Sequence, residues 1–166
     1  MINLLMALAV LVPPAKPDVI RRFTFAPGEV IAATVFGDSV TGGSTVVILP
    51  GLLGSSFGFR KITPALLETG KHVVVVDVLG TGESTRPSKA DYSLTAQMMR
   101  VAAVLDSMQI KKAVILANAL GGSVAYRLAW QRPDLVRSIV GIDAGAAESA
   151  GTPGLRKAMG FAPLIR

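Results

Sequence analysis

The amino-acid sequence predicts an α/β fold in which a mainly parallel sheet has helices on both faces. From residue 19 onward, short apolar runs typical of strands alternate with segments whose apolar residues recur at helical spacing. The runs at 45–49 and 72–77 are almost uninterrupted, which is typical of strands covered on both faces. Each run leads into a loop that contains glycine.

Six strands are predicted in chain order. The first two are joined by the turn residues 26–29, which include Pro27 and Gly28, and therefore form a hairpin. A polar, glycine-rich loop is predicted at 37–44. The six predicted strands are 20–24, 30–36, 45–49, 72–77, 113–116 and 136–142.

Three helices are predicted between the later strands, at 63–69, 94–108 and 121–131. Thr63 is predicted to cap the first helix, Pro64 suits the first position after the cap, and Gly70 ends the helix. Ser93 caps the second helix. The third ends before Pro133, because the residue that precedes a proline disfavours helical geometry.

Length and composition predict one domain. The chain has 166 residues, of which 51% are hydrophobic and 17% charged, which excludes a disordered chain. We predict a core at 19–150, preceded at 1–18 by an apolar arm or weak signal-like segment. Residues 151–166 are predicted to be the start of a cap or a tail.

The apolar N-terminal run at 4–12 has nine residues, whereas a membrane-spanning helix needs about 20. The three residues before it include no lysine or arginine, so it is a poor signal peptide. We therefore predict a cytoplasmic protein without an integral membrane segment. Export through the weak signal-like segment is the alternative.

The charge pattern argues against nucleic-acid binding. The formal net charge is +6, but the basic residues are scattered and only 5% of residues are aromatic. The absence of cysteine excludes disulfides and thiolate metal sites. Residues 80–85 lack the third glycine of a dinucleotide-binding motif, and 37–44 lack the lysine of a phosphate-binding loop. No cofactor and no metal are predicted.

Three motifs follow predicted strands, at the edge where an open parallel sheet binds ligands. Residues 49–54 (LPGLLG) follow the third strand, and 77–84 (DVLGTGES) follow the fourth. Residues 117–122 (ANALGG) follow the fifth and lead into a helix.

Together these motifs resemble those of the α/β-hydrolase family. The resemblance covers about residues 20–145, including the D-x-x-G-x-G-x-S pattern and the RPDLVRSIVGIDA segment. The third motif is similar to G-N-S-L-G-G, in which a sharp turn between strand and helix exposes a catalytic serine. Here Ala117 replaces the first glycine and Ala119 replaces the serine. The resemblance implies an incomplete hydrolase core of about six strands, without the cap and the C-terminal strands.

The resemblance also implies a binding site. The backbone amides of Leu52 and Leu120 would form an oxyanion hole, which requires no particular side chain. Gly51 lets the chain turn before the first amide, and Asn118 precedes the nucleophile position. The ligand implied is a small hydrophobic compound of the acyl type.

The other members of a catalytic triad are harder to place. The family's histidine comes from the far C-terminal part of the fold, and the only histidine here is His72. It begins the fourth strand, roughly 17 Å from the site edge at about 3.3 Å per residue, so we predict a surface residue. Asp143 is a candidate acid, although it could instead cap a turn. Asp77 is predicted to order its own loop.

The sequence therefore predicts a relative of serine hydrolases that act on ester, amide, lactone or carbon–carbon bonds, inactive as written. A non-catalytic protein that binds a small molecule or a partner is the alternative, as is a truncated fragment without independent function. The last strand would be a sheet edge. Self-association, or docking of a missing C-terminal half, is predicted there.

Overall fold

The computed structural model describes residues 19–37 and 45–144. Its six strands are β1 (Val19–Ala26), β2 (Glu29–Phe36), β3 (Thr45–Leu49), β4 (His72–Asp77), β5 (Ala113–Asn118) and β6 (Val136–Ile142). Its α-helices are α1 (Thr63–Glu68), α2 (Leu94–Ser107) and α3 (Leu120–Gln131), and a short 3₁₀ helix covers Ser56–Phe59. The strands form one sheet in the order β1-β2-β4-β3-β5-β6.

The predicted α/β fold is confirmed. Strands β4, β3, β5 and β6 are parallel, whereas β1 pairs antiparallel with β2, and β2 antiparallel with β4. Each predicted strand and helix is present with ends within two residues of those expected. At the site, the largest difference between predicted and observed ends is in β5. This strand continues to Asn118, because its last residues still pair with β6. The 3₁₀ helix was not predicted.

The core lies on both faces of the sheet, as the apolar runs predicted. Alternate residues of β3 and β4, such as Val47 and Val74, point to the face covered by α2 and α3. Their neighbours, such as Val46 and Val73, point to the opposite face, where α1 packs. Since helices leave β3 and β5 toward opposite faces, the loops that follow these two strands also diverge.

Several sequence predictions lie outside the described residues. They concern the arm or signal-like segment at 1–18, most of the polar loop at 37–44, and the cap or tail at 151–166. Within the two described ranges, no helix has the length and apolar character that crossing a membrane requires.

Candidate functional site

The three sequence motifs meet at one edge of the sheet. Strand β3 lies between β4 and β5, and all three run in the same direction. Leu49 pairs with Ala117 at the ends of β3 and β5. The loops that carry the motifs therefore begin at neighbouring strands on the same edge of the sheet.

Residues 118–120 form a sharp turn between β5 and α3, which we call the β5–α3 turn. Ala119 has φ 46° and ψ −116°, a conformation that costs a residue other than glycine about 1–3 kcal/mol. Its N–H donates to the carbonyl of Ile142 over 3.0 Å, and its carbonyl accepts from the N–H of Gly122 over 2.9 Å. The side-chain amide of Asn118 also donates to Ile142, over 3.2 Å. Strand β6 and α3 thus hold the turn on two sides.

Small residues bring α3 against the sheet. A Cβ atom on Gly121 would lie 2.2 Å from the carbonyl oxygen of Leu49, and one on Gly122 would lie 2.4 Å from the Cβ of Ala144. Any side chain at Gly121 would therefore collide with the backbone of β3. The glycines set how closely the start of the helix approaches the sheet.

The loop after β3 contacts the β5–α3 turn at Gly51. A Cβ atom there would lie 2.9 Å from Oδ1 of Asn118 and 3.1 Å from the Cβ of Ala119. The N–H of Gly54 donates to the carbonyl of Gly51 over 2.9 Å and closes this loop. Among the described residues, the backbone N–H groups of Leu52 and Leu120 form no hydrogen bond.

Asp77 connects the second motif to the first. Its side chain is 1% exposed, with Oδ1 accepting from the N–H of Ser56 over 3.1 Å and Oδ2 from the N–H of Glu83 over 2.9 Å. Burial raises the pKa of Asp77, and the N–H groups of Glu83 and Ser56 oppose that shift. Its backbone carbonyl accepts from the hydroxyl of Ser84. These contacts agree with the predicted role of ordering a loop, and the bond to Ser56 is an additional one.

Gly82 leaves the space that the carboxylate of Asp77 occupies. It has φ 46°, and a Cβ atom on it would lie 1.9 Å from Oδ2 of Asp77. The spacing of Asp77 and Gly82 in the second motif therefore has a steric cause. The pattern indicated a glycine turn, but not the buried carboxylate that requires it.

The structure brings together five of the predicted site residues: Gly51, Leu52, Asn118, Ala119 and Leu120. Asp143 follows β6, with an exposed side chain and φ 50°. The preceding residue, Ile142, contacts the β5–α3 turn through its carbonyl. Ser123 is a buried residue of α3 and does not lie on the turn.

His72 begins β4, at the end of that strand opposite Asp77, as predicted. The prediction of a surface residue was wrong, because its side chain is half-buried. A Cβ atom on Gly37 would lie 3.4 Å from its Nδ1 and 3.4 Å from Leu67. Nδ1 is enclosed and has no hydrogen-bond partner among the described residues.

The site carries little formal charge. Asp77 is buried beneath it, and Asp143 lies at its margin. Residues 19–37 and 45–144 contain no group of three His, Asp or Glu side chains arranged to hold a metal ion. The polar groups available to a ligand are therefore mainly backbone N–H groups.

Residues 44–162 match the family model described as alpha/beta hydrolase fold. The matched range includes all three motifs.

Individual relatives agree with this match. A lipase from Psychrobacter immobilis is 29% identical over 135 residues, which are 81% of this chain and 41% of the lipase. A 2-hydroxymuconate semialdehyde hydrolase from Pseudomonas sp. (strain CF600) is 31% identical over 105 residues, which are 63% of this chain and 37% of that enzyme. The chain thus spans about two fifths of the length of these curated relatives.

A solved structure extends the similarity to three dimensions. An α/β hydrolase fold protein from Burkholderia ambifaria superposes with a TM-score of 0.74 at 27% sequence identity. The superposition covers 90% of this chain and 52% of that protein.

Proposed function

Because the chain belongs to the α/β-hydrolase fold family, we propose that it binds small hydrophobic acyl compounds at the β5–α3 turn without forming a covalent intermediate there. In this proposal the turn corresponds to the family's nucleophile elbow, and Ala119 stands at the nucleophile position. The methyl group of alanine has no lone pair with which to attack a carbonyl carbon. The chain would therefore bind an acyl compound and leave it unchanged.

The observation that carries the proposal is the pair of N–H groups at Leu52 and Leu120. Neither has a hydrogen-bond partner in the described residues, although the two flanking residues, Gly51 and Ala119, contact each other. A carbonyl or carboxylate oxygen supplies the acceptor that such N–H groups lack. The N-terminus of α3, which begins at Leu120, favours negative charge at the same place.

Apolar side chains beside the turn support a ligand with a hydrocarbon part. Leu52 is 40% exposed and Leu53 is 84% exposed, directly after the glycine that contacts Ala119. Apolar groups of a ligand would cover surface that is otherwise in water. The names of the relatives, a lipase and a semialdehyde hydrolase, are consistent with a carbonyl-containing ligand.

The lack of turnover follows from two residues in the proposal. Ala119 cannot act as a nucleophile, and the only histidine of the chain, His72, lies at the other end of β4. Within the described residues no histidine lies at the site, so Asp143 has no imidazole to orient there. In this proposal Asp143 is a turn residue at the margin of the site. The role of triad acid is the alternative.

Calorimetry with two ligands of equal chain length tests the binding proposal. Octanoate presents a carboxylate to the two N–H groups, whereas octanol presents one hydroxyl on the same hydrocarbon chain. We expect saturable binding of octanoate, at least about tenfold tighter than that of octanol. Equal affinities, or no saturable binding of octanoate, would refute the proposal.

The nucleophile position is tested with Ala119→Ser. Donors of the oxyanion-hole type support slow acyl transfer even without a complete triad. After long incubation with p-nitrophenyl acetate, we expect an acetyl group at position 119 in the variant, detected by mass spectrometry of peptides. The unsubstituted chain is the control. If the variant is acetylated only at lysines, as the control would be, the assignment of position 119 is wrong.

A further inference from the structure

The chain between β3 and the 3₁₀ helix makes a tight turn at 51–54, which we call the 51–54 turn. The N–H of Gly54 donates to the carbonyl of Gly51 over 2.9 Å and closes it. Leu53, the third residue of the turn, has φ 62°, an angle that glycine adopts readily and leucine adopts under strain. Leu52, the second residue, carries one of the two N–H groups that bind the ligand in the proposed function.

Side-chain packing does little to hold this strained backbone. Leu53 is 84% exposed and Leu52 is 40% exposed. A strained conformation persists only where the surrounding structure fixes it. The 51–54 turn is therefore held mainly by the chain on its two sides.

The first side is fixed by the sheet and by the β5–α3 turn. Leu49 ends β3 and pairs with Ala117. Gly51 is buried, and a Cβ atom on it would lie 2.9 Å from Oδ1 of Asn118 and 3.1 Å from the Cβ of Ala119. The carbonyl that closes the 51–54 turn thus has a defined position.

The second side is fixed by Asp77. Its Oδ1 accepts from the N–H of Ser56 over 3.1 Å, and a single extended residue, Ser55, links Ser56 to the 51–54 turn. Asp77 is 1% exposed and pairs with Ala32 of β2 at the end of β4, so the carboxylate is firmly placed. A hydrogen bond to a carboxylate is roughly twice as strong as one between neutral groups.

We propose that Asp77 is a positioning residue for the ligand site, which holds the N–H of Leu52 in place through the N–H of Ser56. One carboxylate then serves two loops, because Oδ2 accepts from Glu83 in its own loop while Oδ1 fixes the neighbouring loop. Asp77 itself touches no ligand in this arrangement. The role assigned to Leu52 rests on the proposed function, whereas the fixing of its backbone does not.

Ser56→Pro removes this hydrogen bond alone. Proline has no N–H, and position 56 begins the 3₁₀ helix, where the fixed φ of proline is accommodated. Ser55 has φ −155° and ψ 177°, the extended conformation favoured before proline. Ser56→Ala is the matched control, since it removes the side chain and keeps the N–H. Ala103→Gly, in a helix that carries none of the three motifs, controls for a loss of stability.

NMR relaxation of the ¹⁵N-labelled full chain measures the positioning without a ligand. The order parameter of the Leu52 amide should be about 0.85 in the unsubstituted chain and in both controls, and should fall to about 0.6 or below in Ser56→Pro. An equal order parameter in Ser56→Pro overturns the proposal. A flexible Leu52 amide in the unsubstituted chain also overturns it, whether or not Ser56→Pro folds.

Calorimetry with octanoate and octanol measures the consequence for binding. Ser56→Pro should weaken octanoate binding about fivefold and change octanol binding less than about twofold, because the carboxylate depends most on the placed N–H groups. Ala103→Gly should leave both affinities unchanged, since it alters stability alone. A mobile Leu52 amide with unchanged octanoate affinity overturns the positioning role.

The two measurements separate this inference from the proposed function. If the unsubstituted chain binds octanoate and Ser56→Pro binds it equally well, only the role of Asp77 is refuted. If no form of the chain binds octanoate, the proposed function is refuted together with the effect of Asp77 on a ligand. The relaxation data then still decide whether Asp77 fixes the backbone of Leu52.

Discussion

Two loops at the same edge of the sheet use the same unusual backbone angle in different ways. The loop at 77–85, which we call the Asp77 loop, has φ 46° at Gly82, and the β5–α3 turn has φ 46° at Ala119. In the Asp77 loop, glycine adopts this angle at little cost, and a buried carboxylate binds the nearby N–H groups. In the β5–α3 turn, alanine adopts it under strain, and the N–H of Leu120 has no described partner.

The difference separates a loop whose N–H groups are satisfied within the fold from a turn that, in the proposed function, binds a ligand. The polar groups around Asp77 are already satisfied inside the protein, so this loop has little to offer a ligand. The strained turn is held by its neighbours and leaves its donor free. Substitutions in each loop should therefore affect different properties, and the largest effects should come from steric conflict.

Gly121→Ala should be the most destabilising change at the β5–α3 turn. The added methyl group would lie 2.2 Å from the carbonyl of Leu49, and neither backbone can move without breaking sheet pairing. We expect the free energy of unfolding to fall by about 3 kcal/mol or more, measured by urea denaturation. Gly58→Ala is the matched control, because a Cβ there meets no atom within 4 Å. Similar losses for both variants would show that close packing of α3 is not the cause.

Gly82→Ala should destabilise the Asp77 loop by about 2–3 kcal/mol, because the methyl group displaces a buried carboxylate from its N–H partners. Urea denaturation of Gly82→Ala, Asp77→Ala and the double variant forms a thermodynamic cycle. Removal of the carboxylate makes room for the methyl group, so the double variant should lose less than the sum of the single losses. Strict additivity would contradict the steric explanation.

Asp77→Asn should lower the free energy of unfolding by about 1–3 kcal/mol. Asparagine keeps one oxygen, so it can accept from the N–H of Ser56 or of Glu83, but its amide group faces the other donor. Thermal and urea unfolding at neutral pH measure this loss. Glu83→Gln is the control, because Glu83 uses its backbone in this contact and its side chain is 54% exposed.

The pH dependence of Asp77→Asn has a defined sign. Burial raises the pKa of Asp77 above its usual value of 3.8, so the folded state binds the proton more tightly than the unfolded state. The contribution of this group to stability therefore falls as the pH rises from 3.8 through the raised pKa, and is level above it. The difference in free energy of unfolding between the unsubstituted chain and Asp77→Asn should therefore decrease over this pH range and stay constant above it. A difference that grows with rising pH would contradict the assigned shift.

Ala119→Gly should have the smallest effect and the opposite sign. Glycine removes the strain at φ 46° but adds conformational freedom to the unfolded chain. We therefore expect the free energy of unfolding to rise by about 1 kcal/mol, measured by urea denaturation. Ala103→Gly in α2 is the matched control, and its free energy of unfolding should fall by about 1 kcal/mol. If both variants are destabilised equally, Ala119 is not strained. The octanoate affinity should change little, because the backbone donors remain.

The sequence predicted most of the fold because its signals are local. Strands β3 and β4 consist mainly of β-branched residues, and glycine or proline occurs in the loops near their ends. Ser93 caps α2 as expected, accepting from the N–H of Ala96. The pairing of β2 with β4 was not predicted, because 36 residues separate their facing ends and no local pattern encodes the neighbour of an edge hairpin.

The site was predicted in part for the same reason. Motif spacing placed Gly51 and Ala119 on neighbouring loops, and the structure brings them into contact. The hydrogen bond from Ser56 to Asp77 joins residues 21 positions apart and has no sequence signature. The partial burial of His72 was also missed, because His72 lies against Gly37, which follows β2 and is distant in the sequence.

The diverging connections after β3 and β5 have a consequence for how this site can change in evolution. The connection after β3 leads to α1, and the connection after β5 leads to α3, on opposite faces of the sheet. In open parallel sheets, ligands bind where the connections after neighbouring strands turn to opposite faces, and this property follows from topology and not from particular side chains. In the proposed function, alanine at position 119 supplies no nucleophile, but the two connections still lie on opposite faces of the sheet. A fold of this kind can gain or lose chemistry by single substitutions while its capacity to receive a ligand persists.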